Sequence, residues 1–165
     1  MSFSIHQASA PVFARALTNL SAMIDKALAA GVTEATLLEA RLAPDMHPLP
    51  RQIQMASDSA KGAIARLAGV EPPSMPDTET TLAELKERIA ATIAYVNSLD
   101  AAAFEGSEDR EVVLKFPQGE MKFTGCDYLT GFALPNFFFH ITIAYALLRA
   151  NGAPIGKMDF LGGAR

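Results

Sequence analysis

The spacing of apolar residues along the chain predicts four long amphipathic helices. Apolar side chains recur every three or four positions in residues 4–30, 51–68 and 80–99, so each set forms one stripe on a helix. The stripe of the first helix consists of Phe13, Leu17, Leu20, Ile24 and Leu28. The fourth helix covers most of Cys126–Gly152, the most apolar part of the chain. Four such helices around one core predict an all-α four-helix bundle.

The pattern changes to alternation between the third and fourth helices. Residues 111–116 and 120–124 alternate apolar and polar side chains on either side of Pro117-Gln118-Gly119, which is a turn signal. This arrangement predicts a small β-hairpin. A lone two-stranded hairpin is only marginally stable in water, so we expect it to pack on the bundle.

Local signals refine the predicted helices. Thr81 and Glu84 have the spacing of a capping box at the start of the third helix, and Glu84 with Arg88 should form an exposed pair one turn apart. In the fourth helix, Pro135 removes one helical hydrogen bond, which predicts a kink near residues 131–135.

Composition and charge narrow the class of protein. The 165 residues fit one domain, 1–165, and the net charge of −4 argues against nucleic acid or an anionic membrane as a partner. The single cysteine, Cys126, fits a reducing cytoplasm and is expected to be a small core residue rather than a reactive thiol. The run Leu129–Leu148 is long enough to span a membrane. Polar residues interrupt it, so we expect a buried core helix, and a single membrane span is the alternative.

Two polar pairs mark a candidate pocket between the second and fourth helices. Asn136 and His140 are four residues apart, as are Gln54 and Asp58, so each pair projects from one face of its helix. The alternative for Gln54 and Asp58 is a polar seam at the rim of the bundle. One histidine with two amides is a weak ligand set for a transition metal, so no metal is expected from these residues.

The end of the chain resembles the DinB/YfiT-like superfamily. The resemblance rests on Asn136-Phe-Phe-Phe-His140 followed by Tyr145-Ala-Leu-Leu-Arg149-Ala-Asn-Gly152. The whole chain is similar to an uncharacterised bacterial branch of that superfamily. Passages that carry this similarity are Leu42-Ala-Pro-Asp-Met46, Arg51-Gln-Ile-Gln54, Ala60-Lys-Gly62, Arg66-Leu-Ala-Gly-Val-Glu-Pro-Pro73, Phe132-Ala-Leu-Pro-Asn-Phe137 and Asp159-Phe-Leu-Gly-Gly163.

The resemblance implies an up-down-down-up bundle that is often a homodimer. It also implies a divalent-metal site, commonly nickel or zinc, built from a histidine on the second helix and His-x3-His on the fourth. In this chain His140 matches the second histidine of that motif, Asn136 stands at the first, and Gln54 is the nearest counterpart of the histidine on the second helix. The superfamily's ligand set is therefore degenerate here.

Three functions are left open by the sequence. The first is a domain that binds an unidentified small molecule without a metal, in a pocket of Gln54, Asn136 and His140 with aromatic groups from Phe137–Phe139. The second is a metal-dependent thiol transferase or hydrolase that uses His140, with Asp58 or His47 replacing the lost ligands. The third is a dimeric interaction module. The sequence does not decide whether the protein is an enzyme.

Overall fold

The computed structural model describes residues 4–163 and consists mainly of helices. Two elements are irregular: a 3-10 turn at Ala101–Phe104 and a π-helical turn at Leu129–Ala133. The regular elements are α1 (Ile5–Ala29), α2 (Glu34–Glu39), α3 (Leu49–Ala68), α4 (Leu82–Ser98), β1 (Val112–Phe116), β2 (Gly119–Phe123), α5 (Gly125–Tyr128), α6 (Leu134–Ala150) and α7 (Lys157–Leu161). The predicted helical fold with a small hairpin is confirmed, and its four long helices are α1, α3, α4 and α6.

The four long helices pack in a closed ring around one core. Helix α1 contacts α4 and α6, and α3 contacts the same two neighbours from the opposite side. Four of the five predicted stripe residues of α1 are fully buried, whereas Leu28 is 40% exposed because it lies in the last turn, beyond the packed face. The up-down-down-up order of the helix directions stays a prediction.

Local sequence signals fix where the helices begin and end. Ser4 and Gln7 form a capping box at the start of α1, and Thr81 and Glu84 form the predicted one at the start of α4. After α1, Gly31 adopts a φ of +84°, and the following amide, that of Val32, donates to the carbonyl of Ala27. The left-handed backbone conformation of Gly31 ends the helix, as a glycine at this position commonly does.

The hairpin lies against the start of the long apolar helix. Its strands pair antiparallel with Val112 opposite Phe123 and Leu114 opposite Met121. Val112 and Leu114 point into the core, while Met121 is exposed. Phe123 continues the contact, since its ring lies 6.0 Å from the rings of both Tyr128 and Phe132. The prediction that the hairpin packs on the bundle is confirmed.

A π-helical turn stands where the sequence predicts a kink. Pro135 has no amide hydrogen and cannot donate to the carbonyl of Gly131, so one α-helical bond is missing. The preceding amide, that of Leu134, donates instead to Leu129, five residues back. Among residues 4–163, one helical stretch, Gly125–Ala150, is long and apolar enough for a membrane span. Core helices of soluble proteins meet the same criteria, and α6 packs on α1 and α3.

The end of the described chain folds back onto α1. Asn19 donates through Nδ2 to the carbonyl of Phe160 at 3.0 Å, and Lys26 pairs with Asp159. The ring of Phe160 also meets that of Tyr145 edge to face at 5.8 Å. These contacts place α7 over the gap between α1 and α6, as the apolar residues of the tail predict.

Candidate functional site

His140 is a buried imidazole held in one tautomer by α3. Its side chain is 5% exposed, and its Nδ1 lies 2.8 Å from Oε1 of Gln52. The amide nitrogen of Gln52 donates to the main-chain oxygen of His47 at 3.1 Å, which turns Oε1 toward the ring. Nδ1 therefore carries the proton and Nε2 keeps its lone pair. Nε2 has no hydrogen-bond partner among residues 4–163.

The surroundings of His140 favour the neutral ring. Burial lowers the pKa of His140, and the nearby positive charges of His47 and Arg51 lower that pKa further. A neutral imidazole with a free Nε2 can accept a hydrogen bond or a proton, or bind a metal. The protein thus presents one defined acceptor atom at the interface of α3 and α6.

Asn136 is tied to the same face of α3, one turn before His140. Its Nδ2 donates to Oγ of Ser59 at 2.8 Å, and that hydroxyl donates to the carbonyl of Met55 at 2.7 Å. Ser59 follows Gln52 by seven residues, whereas Asn136 precedes His140 by four. The two helices therefore run antiparallel here, with two polar pairs bridging them.

Gln54 and Asp58 lie on the other side of α3, toward α4. Nε2 of Gln54 donates to Oε2 of Glu79 at 3.0 Å. Oδ1 of Asp58 accepts from Nη2 of Arg88 at 2.8 Å and lies 2.9 Å from the ammonium of Lys61. The structure therefore brings Asn136 and His140 to one face of α3 and directs Gln54 and Asp58 to another. The second pair has the arrangement of a polar seam.

Arg88 is the centre of that seam, and the prediction that it forms an exposed pair with Glu84 is wrong. Its side chain is only 2% exposed and contacts three carboxylates, those of Asp58, Asp77 and Glu79, at 2.8, 3.0 and 2.9 Å. Glu84 instead accepts hydrogen bonds from the amides of Thr80 and Thr81. Glu84 is therefore engaged in the N-terminal cap of α4, and the side chain of Arg88 extends into the gap between α3 and α4.

The charges of the seam stabilise one another. Burial raises the pKa of Glu79, but its hydrogen bonds, above all the one from Arg88, bring the pKa below its usual value. Burial lowers the pKa of Arg88, and its contacts with Glu79, Asp58 and Asp77 outweigh that effect and raise it. Glu79 and Arg88 are therefore both held in their charged forms, and the seam is an ion-pair network.

The donors around His140 do not fit the superfamily's metal site. Residues 4–163 contain no group of three or more His, Cys, Asp or Glu side chains placed to hold a metal ion. Gln52 and Asn136 supply only amide groups, which already bond to His140 and Ser59. The carboxylate of Asp58 is engaged by Arg88 and Lys61. A lone imidazole with neutral amides is a poor donor set for nickel or zinc.

Of the other predictions for the long apolar helix, one agrees with the structure and one does not. Phe137 is buried and meets Phe13 edge to face at 4.8 Å, whereas Phe139 is 54% exposed. The three consecutive rings therefore do point in different directions. Cys126 is exposed, so its prediction as a core residue is wrong. It lies in α5 between two buried residues, Gly125 and Tyr128, with its own side chain outside the core.

Gln52 is the contact of His140 that sequence reasoning missed. A signal was present: Gln52 and Ser59 are one heptad apart and share a face of α3 with Ala56. The sequence does not show which flank of the apolar stripe of α3 meets α6. It therefore points to Gln54 as readily as to Gln52 for the contact with His140. Arg88 was missed because its spacing to Glu84 matches a common surface pair.

Comparisons with known proteins agree with this architecture. A family model described as a domain of unknown function, DUF1993, matches residues 5–161. The crystal structure of a DinB family member protein from Shewanella denitrificans has 39% sequence identity and a TM-score of 0.88. The similarity covers 97% of this chain and 93% of that one. No curated protein matches the chain. The predicted resemblance is confirmed, and the chain belongs to the DUF1993 family of DinB-like domains.

Proposed function

We propose that the protein binds a small molecule through Nε2 of His140, without a metal. The observation that carries this proposal is the bond between Nδ1 of His140 and Gln52, which leaves Nε2 as a free acceptor on a neutral ring. A ligand with an N–H or O–H donor suits that atom. Asn136 lies one turn away, and its carbonyl oxygen offers a second acceptor, because its nitrogen already bonds to Ser59.

The test is a nitrogen-15 NMR experiment on labelled histidine. We expect the resting spectrum to show Nδ1 of His140 protonated and Nε2 unprotonated. A set of small N–H and O–H donors, with imidazole and phenol as the first probes, is then added. Binding should move the Nε2 resonance, and His140→Phe should abolish binding while His6→Phe keeps it. A protonated Nε2, or binding that survives His140→Phe, would contradict the proposal.

Metal analysis separates this proposal from the superfamily's chemistry. Protein purified without a metal-affinity tag should hold no stoichiometric nickel or zinc. One equivalent of metal that is lost in His140→Ala would replace our proposal with a metal-dependent thiol transferase or hydrolase. His47 would then be the first additional ligand to test, because its charge already acts on His140.

We further propose that the protein is a cytoplasmic homodimer that pairs through α6. This helix belongs to the helical stretch Gly125–Ala150, whose most apolar 18 residues have a mean hydropathy of 1.5. Only 39% of those residues are buried. Phe139 is 54% exposed there, next to half-buried Phe138 and Ile143. A second copy would cover this face with the same face of its own helix. The exposed free thiol of Cys126 suits a reducing compartment.

Sedimentation equilibrium tests the dimer. We expect a dimer at micromolar concentration and a monomer for Phe139→Ser. Phe116→Ser is the control, since Phe116 is also exposed, at 41%, but lies on the hairpin. A monomeric parent protein, or equal effects of the two substitutions, would contradict pairing through α6.

A further inference from the structure

A cleft lies between the hairpin and the start of the long apolar helix. Its volume is about 390 Å³. It joins two positive side chains to an apolar wall, and its lining is made by Arg66, Val113, Leu114, Lys115, Phe116 and Phe132. None of these residues belongs to the His140 site or to the Arg88 seam. The cleft therefore needs its own explanation.

Arg66 is positioned in this cleft without a carboxylate partner. Its Nη1 donates to the hydroxyl of Tyr128 at 3.2 Å, and its guanidinium carbon lies 6.0 Å from the centre of that ring. Among residues 4–163, no carboxylate lies within ion-pair distance of it. Tyr128 is 2% exposed, so the anchor is rigid. Most N–H groups of the guanidinium remain free to bind an anion.

Gly62 makes room for this placement of Arg66. A Cβ at position 62 would lie 2.5 Å from Nη1 of Arg66, closer than real contacts allow. The guanidinium thus folds back over the helix at the one position without a side chain. An alanine there would move the guanidinium and leave the rest of the cleft in place, because only the flexible end of Arg66 must shift.

The opposite wall is aromatic and partly open. Phe132 belongs to the π-helical turn, and its ring stacks on Tyr128 with 6.1 Å between centres and 18° between planes. Phe116 lies 6.4 Å from Phe132 and is 41% exposed. Such turns frequently occur at functional sites. Lys115 adds a second positive charge, paired only loosely with Glu120 at 3.8 Å.

We propose that this cleft binds a small free aromatic carboxylate. The planar guanidinium of Arg66 matches the two oxygens of a carboxylate, and Tyr128 holds it in place. Phe116 and Phe132 offer ring faces and edges to the aromatic part of the ligand. Lys115 contributes charge from the open side, so salt should weaken binding. The volume suits a one- or two-ring acid.

Calorimetric titration with 2-naphthoate tests the proposal, and methyl 2-naphthoate, which has neither a charge nor an N–H or O–H donor, is the neutral control. We expect saturable binding of the acid and at least tenfold weaker binding of the ester. Arg66→Met should weaken acid binding at least tenfold, whereas Arg15→Met, which removes another exposed positive charge, from α1, should not. Binding of both compounds with equal affinity, or unchanged binding in Arg66→Met, would overturn the proposal. So would the absence of saturable binding below about 5 mM.

Gly62→Ala gives an independent test because it keeps every lining residue. It should weaken binding about as much as Arg66→Met, while the unfolding midpoint stays the same or rises, since alanine favours a helix. Full binding in Gly62→Ala would contradict the placement of the guanidinium. Naphthoate binding should be unchanged in His140→Phe, which separates this cleft from the His140 site.

Discussion

The imidazole of His140 and the amide of Gln52 meet at 2.8 Å across the interface of α3 and α6, with both side chains buried. This contact defines which ring nitrogen is available to a ligand. It also keeps the ring in a dry environment, where a positive charge is unfavourable. A measurement of the pKa of His140 therefore tests whether the ring is buried and bonded to Gln52 in this way.

Replacing Gln52 with glutamate should raise the pKa of His140. The carboxylate would keep the contact with Nδ1 and would add a negative charge beside the ring, which favours the imidazolium. The pKa is measured by NMR titration of the histidine ring protons in the parent protein and in the variant. His6, on α1 near Phe104, provides an internal reference in the same spectra.

The parent protein should itself show a His140 pKa below the ordinary value, because burial and the charges of His47 and Arg51 act in that direction. A His140 resonance that titrates like an ordinary solvated histidine would contradict the buried hydrogen bond. An equal shift of His6 in the glutamate variant would indicate a change of the whole fold instead.

The stability of the protein should fall as the pH drops below about 6.5, in part through His140. Its pKa is lowered in the folded state, so the unfolded chain binds the proton first and gains stability from it. The contribution of His140 is complete above the unfolded pKa and is lost down to the folded one. Within that window the loss approaches about 1.4 kcal/mol per pH unit.

Urea unfolding at several pH values measures this effect. His140→Gln keeps a donor for Gln52 but cannot titrate, so its stability should change less between pH 7 and pH 5 than that of the parent. His6→Gln, which removes a histidine from α1, is the matched control variant. Identical pH profiles for His140→Gln and the parent would exclude a lowered pKa at His140.

The fold could be predicted because it depends on spacing, which the sequence shows directly. The apolar stripes located the four long helices, and alternation around Pro117-Gln118-Gly119 located the hairpin. Capping residues set the ends of helices through local bonds, which also need no knowledge of the tertiary structure. Pro135 predicted the position of the irregular segment. The structure shows a π-helical turn there, in which the amide of Leu134 bonds to the carbonyl of Leu129.

The site was harder to predict because it depends on which flank of a helix meets which neighbour. Gln52 and Gln54 are two residues apart on α3, yet one contacts His140 and the other contacts Glu79. That difference is set by the rotation of α3 between α4 and α6, which no local signal encodes. Arg88 is a similar case, since its carboxylate partners come from α3 and from the loop before α4.

Replacing Arg88 with methionine should destabilise the protein by about 3 kcal/mol. The change keeps much of the volume but leaves Asp58, Asp77 and Glu79 without their central positive charge, and removing one partner of a buried ion pair is costly. Urea unfolding gives the free energy. Lys86→Met, on the same helix, is the control: Lys86 pairs with exposed Asp25, so it should cost less than about 1 kcal/mol. Equal costs for both variants would contradict the central place of Arg88.

Replacing Gly125 with alanine should destabilise the protein by about 2 kcal/mol or more. A Cβ at this position would lie 1.8 Å from the main-chain oxygen of Ser107, so the backbone of α5 or of the loop must move. Thermal and urea unfolding measure the loss. Gly131→Ala is the matched control, because nothing lies within 4 Å of its added carbon and alanine favours helical backbone. We expect Gly131→Ala to be neutral or stabilising, and a neutral Gly125→Ala would contradict the close approach of α5 to Ser107.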